Sequence, residues 1–187
     1  MEIERILQLL ILSELNLPEN YGVVNGKIVP SVYIYSPVVS LGNTDKLQIG
    51  IKSINSNVVA NNSYQRIVTV NGEENYEEVK ECTINDLIQI DIMSKNNDAR
   101  TRRYEVITAL TSNYAKQLQD KYNIRLFDIP KNVINTQRIE GSANIYRYTL
   151  TMTAQYMKVY TRIIDYYDKF SYNGRVDTDD NQFNINY

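Results

Sequence analysis

Asp86 and Asp91 close a strand-like run, and Glu105 follows in the next helix-like stretch. Carboxylates so placed could supply an acid and a base or hold magnesium. No HExxH, GxGxxG or GxxxxGK(S/T) pattern accompanies them, so a metal-dependent hydrolase stands as a minor alternative. Asp177, Asp179 and Asn181 fall at positions one, three and five of a calcium loop. Gln182 then occupies the place that needs glycine, and the twelfth position lies past Tyr187, so the segment reads as solvated and acidic. The chain has no His, which removes the commonest general base and the imidazole metal ligand. Cys82 is its one cysteine, which excludes an internal disulfide and a CxxC centre. No catalytic, cofactor-binding or metal-ligating residue is assigned.

Charge offers a different chemistry. Lys plus Arg total 20 and Asp plus Glu 22, so a net charge of −2 creates no global field for nucleic acid or an acidic membrane. Locally, Lys95, Arg100, Arg102 and Arg103 crowd the start of a helix, where the macrodipole disfavours cations. Glu73, Glu74, Glu77, Glu78 and Glu81 form an acidic run just upstream. Three readings are open for the basic group: a solvated face, pairing with the acidic run within or between subunits, or contact with DNA phosphates. Arg100, Arg102, Arg103, Glu73, Glu74, Glu77 and Glu78 are taken as the candidate subunit interface. The 16 Tyr residues favour an assembly component, since Tyr gives rigid amphipathic contact area.

The elements that must position these groups follow from periodicity. Ile3, Ile6, Leu7, Leu10 and Ile11 recur at helical spacing and predict a short amphipathic helix that Pro18 helps to stop. Gln8, Ser13, Glu2 and Glu4 interrupt or flank this stretch, so it fits neither a signal peptide nor a membrane span. Asn25-Gly26 predicts a small hairpin, and Tyr33 to Leu41 an extended segment. Residues 47 to 92 read as antiparallel strands about an Asn71-Gly72 turn, with Arg66 opposite Glu77. Neither face of that ribbon is cleanly apolar. Ile84, Ile88, Ile90 and Ile92 then share one parity, with Gln89 and Asp91 on the other.

One helix is expected from about Asp98 to Tyr122, with a stripe through Val106, Leu110, Leu118 and Tyr122. Val133 to Glu140 reads as extended, Gly141-Ser142 as a turn, and Tyr146 to Tyr156 as a long half-buried strand. The fold class is therefore α+β: an antiparallel, hairpin-rich sheet packed with a short N-terminal helix and one long central helix. Residues 1–170 form a single expected domain and 171–187 a polar tail.

From Asp91 to Leu110 the chain presents a strand, a short polar turn and a helix opening Asp98-Ala99-Arg100, with Arg102 beyond and Glu105-Val106 leading to Leu110. With the turn at Gly141 and the alternating strand through Tyr148, Leu150 and Tyr156, this resembles the tail terminator or neck proteins of tailed bacteriophages. The resemblance spans residues 31 to 158. It implies a structural virion protein, not an enzyme, that forms a homo-oligomeric ring of six or twelve subunits. Such a ring ends the tail tube, joins it to the head connector and passes genomic DNA through its lumen without sequence-specific binding. The implied partners are the chain itself and adjacent neck, connector or tail-tube proteins, with no membrane and no cofactor. Assembly would take place in the host cytoplasm. The alternative reading is a small cytosolic nucleic-acid- or ligand-binding module.

Overall fold

The computed structural model describes residues 2–24, 26–35, 45–136, 138–140 and 143–164. By its internal contacts the chain divides into two units, Met1–Asn61 with Cys82–Lys158, and Asn62–Glu81 with Val159–Tyr187. The expected tail, the calcium-like spacing and most of the segment after Tyr33 lie outside the described residues.

Helix α1 (Ile3–Glu14) buries Ile3, Ile6, Leu7, Leu10 and Ile11, the stripe that its spacing predicts. It ends four residues short of Pro18. Asn16 takes the left-handed conformation at φ 49°, Leu17 N–H bonds to Leu12 O and Asn16 N–H to Ser13 O, the double closure of a Schellman end. Strands β1 (Asn20–Val24) and β2 (Lys27–Pro30) pair antiparallel across Val24 and Lys27, as the Asn25-Gly26 signal requires, with Gly26 at φ 75°.

The main sheet has the order β3-β4-β5-β9-β6. Strand β3 (Val32–Ile34) runs parallel to β4 (Gln48–Val70), a departure from the all-antiparallel expectation. Strands β4 and β5 (Glu73–Ser94) meet at Asn71-Gly72, whose φ values of 55° and 86° are those of a type I′ turn. Arg66 and Glu77, opposed by the turn arithmetic, form an ion pair at 2.7 Å.

Strand β9 (Ala143–Ile164) lies beside β5, and their contacts run in opposite chain order: Arg162 to Glu78, Gln155 to Asn85, Thr149 to Asp91. The other edge of β9 carries β6 (Ile124–Phe127), then β7 (Ile134–Asn135) and β8 (Arg138–Glu140), all antiparallel to it. The extended reading of Val133 to Glu140 is thus two short strands, and β6 is an element that periodicity alone did not reveal.

The expected single helix after β5 is two. Helix α2 (Asp98–Leu110) stops at Thr111, and α3 (Asn113–Tyr122) starts afresh because Ser112 is extended and its Oγ accepts the Ala115 N–H at 3.0 Å. Ile49, Ile51, Ile88, Ile90, Ile92, Leu150, Met152 and Ala154 cover one sheet face and pack with buried residues of the three helices. Each fully buried Ile or Leu contributes about 1.5–3 kcal/mol.

Candidate functional site

Asp91 belongs to the parity of β5 opposite to that of Ile88, Ile90 and Ile92. It is fully buried, at 0% exposure. Four side chains donate to its carboxylate: Tyr35 Oη at 2.9 Å, Gln89 Nε2 at 3.0 Å, Arg147 Nη2 at 2.7 Å and Thr149 Oγ1 at 2.6 Å. Tyr33 and Tyr35 close over this face with ring centroids 5.2 Å apart. Gly50 permits that approach, since a Cβ there would stand 2.6 Å from the Tyr35 ring and 2.9 Å from the Tyr33 ring. Burial pushes the Asp91 carboxyl upward, but the bonds from Arg147, Thr149 and Gln89 outweigh it, and the pKa is lowered.

Asp86 lies at even parity, on the other face, also buried, and takes the Tyr156 hydroxyl at 3.0 Å. Glu105 is held by Arg102 at 2.7 Å on the surface of α2. Asp86 and Asp91 therefore cannot converge, and the candidate acid–base or magnesium trio is not assembled.

The basic helix start is resolved residue by residue. Arg102 answers the unfavourable dipole by pairing with Glu105 and by donating through Nη2 to Leu15 O at 3.1 Å, the carbonyl that ends α1. Arg103 stacks its guanidinium 4.6 Å from the Tyr104 ring and 5.0 Å from the Tyr148 ring, and donates to the Arg100 carbonyl. Arg100 is exposed. Arg100, Arg103, Tyr104 and Tyr148, together with Val133 and Tyr146, line a surface groove of about 420 Å³. Among the described residues neither Arg100 nor Arg103 meets a carboxylate.

In the acidic run, Glu77 is held by Arg66, while Glu78 is held by Lys80 at 3.3 Å and Arg162 at 2.7 Å. Glu81 accepts from Tyr64 Oη at 3.1 Å, and Glu74 is exposed. The side chain of Glu73 lies outside the described residues.

No family model and no curated protein matches the chain. Among the described residues no helix is long and apolar enough to cross a membrane.

Sequence reasoning passed over Tyr35, Arg147 and Thr149. The signal was present in outline: Arg147 and Thr149 share the polar parity of β9, the parity that faces Asp91 once β5 and β9 pair. Without that pairing, Arg and Thr on alternate positions read as a solvated face.

Proposed function

We propose that the chain is a structural virion protein that assembles into a homo-oligomeric ring at the neck of a tailed bacteriophage, ending the tail tube and joining it to the head connector. The resemblance around Asp91 to Leu110 and Tyr148 to Tyr156 supplies the ring and its place in the virion.

The observation that carries the assembly reading is the apolar surface left open along the long strands. In the first unit Ile54, Val58 and Val59 of β4 are 49%, 61% and 52% exposed, apolar side chains that a neighbouring subunit would cover. In the second unit Ile67, Val159 and Ile163 are 58%, 50% and 54% exposed. A head-to-tail interface closes a ring when each subunit offers one surface to the next and a matching one behind.

Arg100, with no carboxylate partner among the described residues, suits such an interface because a charge that meets its complement only in a neighbour sets register. The protein acts by assembly and carries out no reaction of its own.

The deciding measurement is mass in solution by light scattering, joined to negative-stain electron microscopy, at 0.15 M salt. A closed ring of defined stoichiometry is expected. A monomer at every concentration up to the millimolar range defeats the reading, and monomer with salt-sensitive affinity for single-stranded DNA transfers it to the nucleic-acid-binding alternative.

A further inference from the structure

Where α1 begins, beside the buried Asp86, the first unit carries a half-open cavity of about 640 Å³. Three carboxylates line it, Glu2, Glu4 and Asp86, against one ammonium, Lys158, whose Nζ lies 5.7 Å from the Tyr156 ring centroid. Asp86 is 4% exposed. Tyr156 fixes its Oδ2, while its Oδ1 is buried without a hydrogen-bond partner among the described residues. A buried carboxylate oxygen left unmatched costs free energy that an incoming donor recovers.

Ile3, Ile34, Ile124, Met157 and Tyr122 supply an apolar and aromatic part of the wall, and Ser53 and Ser56 add hydroxyls to it. Among the described residues no three acidic side chains converge closely enough to hold a metal ion, so the negative charge is spread along the cavity and not focused on one point. Spread carboxylates over an apolar, tyrosine-bearing wall suit a cation carried on a hydrocarbon stem, with the stem on the isoleucines and the cation against the carboxylates and ring faces.

The geometry points to a binding site at Asp86 for an aliphatic ammonium or guanidinium group. Its source is either a free alkyl-amine or a Lys or Arg side chain of a second copy of this chain. Arg100 takes no part in it, and although Ser53, Ser56 and Lys158 of the long strands line its wall, the site does not require the ring reading.

The test titrates 1,5-diaminopentane and butylguanidine into the full chain, with pentanol and pentanoate as controls, following chemical shifts of the Tyr122 and Tyr156 rings and the mass of the protein in parallel. Asp86→Asn removes the buried charge. Glu4→Gln removes a partly exposed one, which keeps the test valid if Asp86→Asn folds poorly.

Saturable binding of the two cations but not the controls, at least tenfold weaker in Asp86→Asn and severalfold weaker in Glu4→Gln, supports the site. If the cations also lower the assembled mass, a neighbouring copy is the natural source; if mass is unchanged, a free amine is. Absence of cation binding together with a lower assembled mass in both variants also supports the site, already filled by a neighbour. Binding that is equal in wild type and variants overturns it, as does absence of binding with no change in mass.

Discussion

Asp91 keeps its charge inside the sheet because four donors reach it, and that dependence makes the residue a stability switch. Asp91→Ala leaves Arg147 charged and half-enclosed without its partner, at a cost of about 3–5 kcal/mol, readable as a lower urea midpoint at pH 7. The pH dependence has a definite sign. The folded pKa of Asp91 lies below its unfolded value, so the unfolded chain takes up the proton first. The stabilisation is complete at neutral pH and drains away as pH falls from about 4 through the lower folded value. Wild type should therefore lose stability between pH 5 and pH 2 more steeply than Asp91→Asn, with urea melts at stepped pH as the measurement. Arg103 behaves differently. Held by two ring faces, it should lose about 1–2 kcal/mol on replacement by Ala, and less on replacement by Lys, which retains a cation over the rings.

Among the elements, the break between α2 and α3 turns on one hydroxyl. Ser112→Ala removes the cap from Ala115 N–H and should cost about 1 kcal/mol, while Ser112→Asp, which also caps, should cost much less; equilibrium denaturation distinguishes them. The same element shows what was legible beforehand. The stripe from Val106 to Tyr122 announced helix, but two helices joined by Thr111 and Ser112 keep that stripe nearly continuous, so hydrophobic spacing alone did not mark the joint. The Asn71-Gly72 turn and the alternation in β9 were readable because each is a local rule: positive φ at two residues, and a period of two along one strand. What escaped was non-local. The parallel docking of β3 on β4, the addition of β6 to β9 and the burial of Asp91 depend on which strand lies beside which, information spread over distant segments. For the candidate interface, sequence identified the crowded cations at the start of α2 but not that Arg102 spends its charge on the end of α1.

At the scale of the whole molecule, Arg102 and Arg103 are engaged within the fold, and Arg100 is the arginine left for the proposed interface. Arg100 is exposed, so Arg100→Glu should leave the melting temperature within a degree or two, with a helix-dipole gain of only about 0.3 kcal/mol. In the proposed ring the same change should lower the assembled mass at matched ionic strength, measured by light scattering. An unchanged mass would remove Arg100 from the interface. Arg103→Glu is a poorer probe, because it disturbs the stacked rings before it touches any neighbour.

Strand β9 forms the inner partner of β5 on one side and of β6 to β8 on the other, and its bonds to β5 span 56 to 84 residues of chain. Synthesis therefore delivers the isoleucines of β5 well before the strand that closes beside them. At about 5–20 residues per second, that interval lasts seconds, longer than local helices and hairpins take to form. During it, neighbouring chains on one message present each other with the same open strand edge, and in the proposed ring the copy meant as a neighbour would also be the nearest available wrong partner. Yield of native protein should then depend on translation speed and temperature as much as on the stability of the finished sheet.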